Sequence, residues 1–418
     1  MMSVNGGRGG KHVAGARQKQ QSRSKGAEED AAARRRRNID EDDPSGGQTR
    51  IYDREAIHGA VNAKGKKKKR IWLRVLIAVL VFLLAVGGTL VALYCIYVKP
   101  PEVADKTNSN QTTADSNTEQ QDDTQDDDKE DVPLTGRREG VYTFALIGMD
   151  QVGANTDTIM VVTFDTTAHT LNVVSIPRDT LVNVSWSTKK VNSLYGNGGI
   201  EMLMDGLQDL VGYEIDFHVL VDLDAFKKLV DEVGGIWFDV PEDMYYTDPT
   251  QDLYISVPAG YQCLNGEDAM GVVRFRATYV EGDIQRIRVQ QDFMKAAIKQ
   301  MLENVGSINI TTLVDIFLND VDTDLTNGNC VWLAQEFFKM DMSHVEFMTM
   351  PGNYTDSVYG GSYVTILLDD WLDMINTYLN PFYEKITLED QDILTRDPDS
   401  GRIYATTGVY AGDESWGN

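Results

Sequence analysis

The chain has 418 residues and a formal net charge of −25, with 42% hydrophobic and 25% charged residues, a composition typical of folded proteins. Residues 1–70 carry 18 Lys/Arg and 9 Asp/Glu, whereas residues 139–418 carry 15 Lys/Arg and 44 Asp/Glu. A main body this acidic excludes nucleic acid as its partner, because the phosphate backbone would be repelled. Three Cys and five His without metal-ligand spacing exclude a disulfide scaffold and a multi-cysteine zinc site.

Residues 71–98 form the first predicted element, a transmembrane helix. From Val75 to Val98 no charge interrupts 24 residues, enough to cross about 30 Å of hydrocarbon at about 1.5 Å per residue. Six of the seven residues from Lys64 to Arg70 are basic, so the positive-inside rule places residues 1–70 in the cytoplasm. We therefore expect a single-pass cell-membrane protein with an extracellular main domain.

Two polar segments flank this helix. Residues 1–70 are rich in Gly, Arg, Lys, Gln and Ser and are predicted to be a disordered, basic cytoplasmic tail. Its run Arg34–Arg37 would suit nucleic acid or anionic lipid headgroups, or would serve only as a solvated tail. Residues 99–138 have almost no aliphatic side chains and are predicted to be an acidic, disordered extracellular linker.

Strand and helix patterns alternate after residue 139. The predicted strands are Tyr142–Ile147, Thr158–Phe164, Leu171–Ile176, Phe217–Val221 and Ile236–Val240, and the predicted helices follow Gly199, follow Asp224, and run from Asp283 to about Leu302. This alternation predicts an α/β fold, an α/β/α sandwich with a central mixed β-sheet, preceded by a single transmembrane helix. Residues 386–418 are expected to form a strand-rich or disordered tail of unknown role.

Arginines in the acidic body of the chain are few and clustered. Residues 139–418 hold seven, and five of them fall in three short segments: Arg178, Arg274, Arg276, Arg286 and Arg288. An arginine among apolar residues needs an anionic partner, because an unpaired buried charge is costly. The partner is either an internal carboxylate or a ligand such as phosphate, whose oxygens match the planar guanidinium fork.

The first predicted hairpin brings an acid and an arginine together. With a turn centred on residues 167–168, paired positions sum to 335, which places Asp157 opposite Arg178 at the open end. Asp150 follows the preceding strand, and Asp179 follows Arg178. Strand ends are where α/β sheets commonly bind ligands. Carboxylates with room for water suit Mg²⁺.

The second segment, GEDAMGVVRFRAT, is predicted to change from helix to strand. Residues 266–271 are predicted to be a short helix and Val272–Arg276 to be extended. In extended backbone Arg274 and Arg276 would share one face and Phe275 would lie on the other.

The third segment, DIQRIRVQQDF, is predicted to be helical. Asp283, Arg286 and Gln290 lie at i, i+3 and i+7 and would share one face of that helix. Clustering of arginines in three structured segments favours an anionic ligand over separate internal ion pairs.

These segments resemble the LytR-CpsA-Psr family of cell-envelope proteins. The matching stretches, in the family's order over about residues 140–385, are TDTIMVVTFD, VVSIPRDTLV, KVNSLYGNGG, VDLDAFKKLVDEVGGIWFDVPEDM, LNGEDAMGVVRFR, GDIQRIRVQQ and VEFMTMPGNY. The membrane helix and the basic tail also match the family's layout. The resemblance implies a LytR-CpsA-Psr-like catalytic domain over residues 139–385.

The activity that the resemblance implies is that of a Mg²⁺-dependent phosphotransferase. Such an enzyme moves an anionic glycopolymer, of the wall teichoic acid or capsular polysaccharide type, from a polyprenyl-pyrophosphate carrier to peptidoglycan. It forms a phosphodiester and releases polyprenyl phosphate. The implied partners are the lipid-linked glycopolymer, the peptidoglycan acceptor and the membrane, and the implied cofactor is Mg²⁺.

Site roles follow from the family's motifs. The metal ligands would be Asp150 and Asp157. The catalytic set would be Asp157, Arg178, Arg276 and Arg286. The pyrophosphate would be held by Arg178, Lys190, Arg274, Arg276, Arg286 and Gln290, with Asn192, Asp179 and Asp283 in support.

One position departs from the family's pattern. The family often has an arginine immediately before the Gln-Gln pair, and here that residue is Val289. Arg288 lies one residue away, about 100° around the helix, so it does not replace that arginine. The anchoring of the helix is therefore open. Cys263 and Cys330 are either bonded to each other or two free thiols.

Two rival functions stay open from the sequence. One is a membrane-bound transcriptional attenuator or regulator, supported only by the basic tail. The other is a non-catalytic polyprenyl-phosphate-binding protein that uses the same pocket. Residues 1–70 show no helix-turn-helix pattern, a regulator would not require the arginine cluster, and an intact pair of metal carboxylates favours turnover.

Overall fold

The computed structural model describes residues 77–103, 135–149, 156–249, 253–306 and 308–411. The predicted tail of residues 1–70, most of the predicted linker and Asp150 lie outside the described residues. Helix α1, Ile77–Tyr97, has 21 residues and is long and apolar enough to cross a membrane. It falls within the predicted transmembrane segment, residues 71–98.

Fourteen strands and eight helices are present in the described part of the chain. The strands are β1 (Val141–Met149), β2 (Thr156–Asp165), β3 (Thr170–Ser175), β4 (Phe217–Val221), β5 (Ile236–Val240), β6 (Met244–Asp248), β7 (Leu253–Val257), β8 (Gly260–Leu264), β9 (Val321–Thr323), β10 (Val345–Thr349), β11 (Gly352–Val358), β12 (Gly361–Ile366), β13 (Leu394–Arg396) and β14 (Ile403–Ala405). The helices after α1 are α2 (Asn192–Val211), α3 (Leu223–Glu232), α4 (Gly266–Arg274), α5 (Asp283–Glu303), α6 (Ile310–Asp320), α7 (Asn327–Phe337) and α8 (Leu368–Met374).

A six-stranded mixed sheet forms the centre of the domain, in the order β10-β3-β2-β1-β4-β9. The pairs β10–β3 and β1–β4 are parallel, and the other three neighbouring pairs are antiparallel. In the hairpin of β2 and β3, Met160 lies opposite Ser175 and Thr163 opposite Asn172. The predicted register, in which paired positions sum to 335, is therefore confirmed.

Helices cover both faces of this sheet, because its strands are apolar on both sides. One face packs on α2 and α8, where Leu203, Leu207 and Trp371 are fully buried. The opposite face packs on α3, α5, α6 and α7, with Ala225 buried and Trp332 partly buried. The predicted α/β/α sandwich with a central mixed sheet is confirmed.

Strands β5 to β8 form an antiparallel ribbon outside the central sheet, called here the ribbon (residues 236–248 and 253–264). Strand β5 pairs with β8 and β6 pairs with β7. The register shifts by one residue between these pairs, from Ile236 opposite Leu264 to Met244 opposite Val257. One face of the ribbon packs on α4 and α5 in an apolar cluster of its own. Of the four strands of the ribbon, only β5 was predicted from the sequence.

Helix α4 differs from its prediction. Residues 272–276 were expected to be extended, but α4 continues to Arg274, and Phe275 has extended backbone. The additional helical turn buries Val272 completely in the cluster below the ribbon, which explains the longer helix. At its start, a Cβ on Gly266 would lie 2.4 Å from the carbonyl oxygen of Lys227, so this close approach to α3 requires glycine.

Residues 386–411 pack into the same domain as the residues before them. Ile386 and Ile393 belong to the apolar cluster between the sheet and α2. The Gln391 side chain is buried and donates a hydrogen bond from Nε2 to the carbonyl oxygen of Leu210, at 2.6 Å. The predicted boundary at residue 385 therefore does not separate two units of packing.

The two cysteines that follow residue 139 are free thiols. Cys263 is exposed on strand β8, and Cys330 is buried in helix α7. Of the two alternatives that the sequence left open, the disulfide is absent.

Candidate active site

The antiparallel pairing of β2 and β3 brings Asp157 and Arg178 together. Asp157 is the second residue of β2, and Arg178 follows the end of β3 by three residues. Arg178 Nη1 donates a hydrogen bond to Asp157 Oδ1 at 2.6 Å. The contact predicted from the register is therefore present.

Helix α5 brings Asp283 and Arg286 to the same place. It begins after Gly282, whose φ of 59° lies in the region that favours glycine. Arg286 Nη2 lies 2.8 Å from Asp283 Oδ1 and donates to the main-chain oxygen of Asp157 at 2.9 Å. Arg178 Nε lies 3.4 Å from the same Asp283 oxygen. Asp157, Arg178, Asp283 and Arg286 thus form one cluster of alternating charges, called here the charged quartet.

A cavity of about 230 Å³ lies against the charged quartet and is called here the arginine cavity. Its lining residues are Asp157, Arg178, Tyr246, Leu253, Arg274, Arg276, Ala277 and Arg286. Arg274 ends α4, and Arg276 follows two residues later, while Phe275 between them is buried in the core. The prediction that the two arginines would lie together and Phe275 apart is correct, although Arg274 still belongs to helix α4 and extended backbone begins only at Phe275.

The charges around Asp157 keep its carboxylate ionised. Burial raises the pKa of Asp157, but Arg286 and Arg178 outweigh burial, so the pKa lies below its ordinary value. Burial lowers the pKa of Arg178, but Asp283 and Asp157 outweigh burial and raise it. Burial lowers the pKa of Arg286, whose side chain is only 3% exposed. Arginine starts from so high a pKa that both side chains stay charged at neutral pH.

Hydrogen bonding at the charged quartet is incomplete. Within the described residues, Nε of Arg286 and Oδ2 of Asp283 are buried without a hydrogen-bond partner. Asp283 Oδ1 and Arg178 Nε face each other at 3.4 Å as an ion pair, without a well-formed hydrogen bond. Arg276 is exposed, and no described carboxylate forms a salt bridge with it. Folded proteins rarely leave buried polar atoms unpaired. The arrangement is therefore typical of a site that a ligand completes.

The donor set around Asp157 fits a magnesium ion. Both arginine contacts to its carboxylate are on Oδ1, and no described residue donates to Oδ2. The described residues contain no group of three or more His, Cys, Asp or Glu that could hold a metal. Mg²⁺ does not need such a group, because it commonly takes one or two carboxylates plus phosphate oxygens and water. The second predicted ligand, Asp150, lies outside the described residues.

Comparison with a family model agrees with this geometry. The model of the LytR_cpsA_psr family matches residues 104–380, more than half of the chain. The chain belongs to the LytR-CpsA-Psr family.

Two curated relatives are similar to this chain at 27–29% sequence identity. The chain is 29% identical over 202 residues to the polyisoprenyl-teichoic acid–peptidoglycan teichoic acid transferase TagV of Bacillus subtilis, covering 47% of this chain and 52% of TagV. It is 27% identical over 221 residues to the regulatory protein MsrR of Staphylococcus aureus, covering 51% of this chain and 66% of MsrR. The chain therefore spans about half to two thirds of the length of these curated relatives. The crystal structure of B. subtilis TagV has the same fold, with a TM-score of 0.50 and 24% identity over 57% of this chain and 96% of that one.

The LytR-CpsA-Psr resemblance also assigned Lys190, Asp179 and Asn192 to the site, but none of the three lines the arginine cavity. Lys190 Nζ donates to Asp179 Oδ1 at 2.9 Å and lies 5.4 Å from the ring centroid of Tyr363. The main-chain nitrogen of Asn192 donates to the main-chain oxygen of Arg178 at 3.2 Å. These contacts hold the backbone that follows β3.

Gln290, which the same resemblance assigned to pyrophosphate binding, is buried away from the cavity lining. Its Nε2 donates to the main-chain oxygen of Val273 at 2.9 Å. The next residue, Gln291, donates to Met348 and Thr349 at the end of β10 and to Ser175 at the end of β3. The two glutamines therefore fix α5 to α4 and to the sheet, and the sequence analysis did not assign a role to Gln291.

Val289, where the LytR-CpsA-Psr family often has arginine, is buried in the apolar cluster below the ribbon. Arg288 lies on the surface, where its guanidinium pairs with Glu281. Helix α5 is thus anchored by apolar packing and by glutamine hydrogen bonds, which answers the question that the sequence left open.

Three cavity residues were not predicted: Tyr246, Leu253 and Ala277. Tyr246 and Leu253 come from the ribbon. Strand β7 was not predicted, although the stretch LYISV alternates apolar and polar residues after the TDPTQD turn signal, which is the pattern of a strand.

Proposed function

We propose that this chain is a phosphotransferase that moves an anionic glycopolymer from a polyprenyl-pyrophosphate carrier to peptidoglycan. The observation that carries the proposal is a cavity lined by four arginines and one carboxylate within a body of 15 Lys/Arg and 44 Asp/Glu. Positive charge concentrated against that background suits a pyrophosphate. Membership of the family supports the same class of reaction, and so does the similarity to TagV, which is named a teichoic acid transferase.

In the proposed reaction, a peptidoglycan hydroxyl attacks the phosphorus atom that carries the polymer. A bond forms between that phosphorus and the hydroxyl oxygen, and the bond from the phosphorus to the bridging oxygen breaks. Polyprenyl phosphate leaves with the bridging oxygen, and the hydroxyl proton passes to a base. The polymer is then joined to peptidoglycan through a phosphodiester.

Charge placement gives each arginine its part in this reaction. Arg274 and Arg276, at the end of α4, are positioned to hold the pyrophosphate oxygens. Arg178 and Arg286 are already fixed by Asp157 and Asp283, so they can neutralise developing negative charge without reorganising. Mg²⁺, held by Asp157 and Asp150, would supply Lewis-acid stabilisation of the phosphate oxygens when bound.

A regulatory role is the alternative, because the relative MsrR is named a regulatory protein. Such a role does not need four arginines around one cavity, and the basic tail on which it would depend lies outside the described residues. A non-catalytic polyprenyl-phosphate binder would use the same cavity without turnover.

A transfer assay separates these functions. The full chain in detergent is incubated with a polyprenyl-pyrophosphate-linked sugar, peptidoglycan oligomers and Mg²⁺, and the products are weighed by mass spectrometry. We expect an acceptor that has gained the sugar phosphate, together with polyprenyl phosphate, and loss of both products with a chelator. Tight lipid binding without product would identify a non-catalytic binder. The absence of both lipid binding and product would contradict the proposal.

A further inference from the structure

The ribbon has an exposed face that carries four large aromatic side chains. Trp237 is 52% exposed, Tyr245 59%, Tyr254 61% and Tyr261 70%. Their strand neighbours, such as Phe238, point the other way and are buried in the apolar cluster on α4 and α5. Because side chains alternate along a strand, the four rings lie on the outer face. Large aromatic side chains exposed on one face of a ribbon indicate a binding surface.

Pairing across the ribbon sets the rings in two diagonal pairs. Trp237 lies opposite Cys263, and the neighbouring Tyr261 lies opposite Asp239. The Trp237 and Tyr261 rings stack, with centroids 5.4 Å apart and planes 25° apart. Tyr245 and Tyr254 occupy the corresponding diagonal positions on β6 and β7. A stacked pair offers one flat apolar surface, and its polar edges stay hydrated.

The charge of this region restricts what can bind there. No Lys or Arg occurs between Lys228 and Arg274, whereas nine Asp or Glu do. Exposed Trp and Tyr are also typical of membrane interfaces, but anionic headgroups attract basic residues, which this stretch lacks. Flat rings beside carboxylates such as exposed Asp239 suit an uncharged ligand that has apolar faces and hydroxyl donors. Sugar rings have both properties.

The same ribbon contributes to the wall of the arginine cavity. Tyr246 and Leu253 line that cavity, and the adjacent Tyr245 and Tyr254 point to the opposite face of the same two strands. The ribbon therefore lies between a ligand on its outer face and the arginine cavity.

We infer that the outer face of the ribbon, formed by Trp237, Tyr245, Tyr254 and Tyr261, is the docking surface for an uncharged glycan strand. The rings stack against the faces of successive sugars, and Asp239 accepts hydrogen bonds from their hydroxyl groups. The place of this surface in catalysis, as the acceptor side, rests on the proposed function. Glycan binding itself does not require turnover.

Binding of soluble chitin oligosaccharides, uncharged chains of N-acetylglucosamine, to the full chain in detergent tests the inference. Affinity is measured by calorimetry for the wild type and for the double variant Trp237→Ala/Tyr261→Ala. We expect the double variant to bind about tenfold more weakly, or about 1.4 kcal/mol. Tyr383→Ala is the matched control, because Tyr383 is 46% exposed and lies outside the ribbon. Its affinity should not change.

Cys263 provides a second measurement on the same face. Its exposed thiol lies opposite Trp237, while Cys330 is buried. Bound chitin oligosaccharide should slow the alkylation of Cys263 in the wild type, measured peptide by peptide with mass spectrometry. It should have no effect in the double variant. The buried Cys330 should be alkylated no faster in the double variant than in the wild type. An equal rate would show that the fold of the double variant is intact.

Two results would overturn the inference. One is a chitin affinity that is equal in the wild type and the double variant. The other is binding to phosphatidylglycerol vesicles that depends on the four aromatic residues, without any glycan binding. Arg276→Lys separates the two proposals, because it should bind chitin like the wild type and lose only the lipid pyrophosphate. Transfer that persists unchanged in the double variant would contradict the acceptor role of this surface and leave the proposed function intact.

Discussion

Two clusters of arginine and carboxylate in this domain differ in their balance of charge. Arg137 and Asp216 form a buried salt bridge, with side chains 6% and 7% exposed. Asp216 Oδ2 also accepts hydrogen bonds from the main-chain nitrogen and hydroxyl of Thr143, each at 2.8 Å, and Arg137 donates to the main-chain oxygen of Val141. Here one arginine meets one carboxylate, and Thr143 and Val141 supply further hydrogen bonds, while Nε of Arg137 has no partner among the described residues.

The arginine cavity has an excess of positive charge. Four arginines line it, and the carboxylates of Asp157 and Asp283 are shared between Arg178 and Arg286. The comparison teaches that burial alone does not distinguish a structural arginine from a binding one. Arg276 differs from Arg137 because it is exposed on the wall of a cavity and has no described salt bridge, so its planar guanidinium is open to an anionic ligand.

Removal of the carboxylate from the cavity should have the largest effect. Asp157→Asn keeps the size of the side chain but loses the charge that pairs with Arg178 and that a hard cation needs. We expect transfer to fall below detection and Mg²⁺ binding to weaken, measured by product mass spectrometry and by calorimetry. Asp157→Ala should behave in the same way. Wild-type turnover in both variants would show that the proposed metal site is wrong.

A substitution in the buried Arg137–Asp216 pair should lower the stability of the protein and leave its activity unchanged. Arg137→Ala leaves Asp216 buried without its cation, which should lower the free energy of unfolding by about 3–5 kcal/mol. Transfer per folded molecule should not change. Denaturant titration measures the loss, and Arg288→Ala, which breaks the exposed pair with Glu281, is the control with an expected cost of about 0–1 kcal/mol. Equal losses in the two variants would remove the contrast between buried and exposed pairs.

Arg276→Lys sharpens the comparison, because it keeps the charge and removes the planar fork. If Arg276 holds pyrophosphate through two parallel hydrogen bonds, the substitution should cost about 1.5–3 kcal/mol. That is about a tenfold to hundredfold loss in transfer rate or lipid affinity. The melting temperature should not fall, since lysine keeps the charge beside Asp157 and no described carboxylate forms a salt bridge with Arg276. Arg402→Lys, outside the cavity and exposed, is the control, and indistinguishable rates for the two variants would reject the role of Arg276.

The smallest effect is expected where carboxylates meet without an arginine. Burial, together with Asp392 and Asp205, raises the pKa of Asp209 on α2 from 3.8 to about 6. A carboxyl pKa that is higher in the folded state adds stability at low pH, and this stability is lost as pH rises from about 4 to above 6. The wild type should therefore lose melting temperature over that interval relative to Asp209→Asn. Parallel melting curves for the two proteins would contradict the raised pKa.

Register arithmetic and helix spacing predicted two pairs within the charged quartet, because the contacts inside each pair depend on local geometry. Paired positions that sum to 335 placed Asp157 beside Arg178, and the i, i+3 spacing placed Asp283 beside Arg286. The cavity wall formed by Tyr246 depends instead on how the ribbon packs against α4, and no local pattern encodes that packing.

Helix phase explains a second difference. The resemblance assigned Gln290 to pyrophosphate binding, and in the structure its side chain is bonded to Val273, while Gln291 reaches the strand ends. One residue turns a helix by about 100°, so helix spacing alone does not show which side chain a buried backbone oxygen will bind. Similarly, α4 runs on through Arg274 because burial of Val272 outweighs the β-propensity of its neighbours.

Strand β3 pairs with two strands, β2 and β10, that are synthesised at very different times. One edge joins β2 through a short turn, but the other joins β10, with Leu171 opposite Val345. During synthesis the second edge stays unpaired until most of the domain has emerged, and an unpaired apolar edge is a template for aggregation. Long-range parallel pairing also slows folding. A chain that ends before residue 345 should therefore aggregate instead of folding into a smaller stable domain.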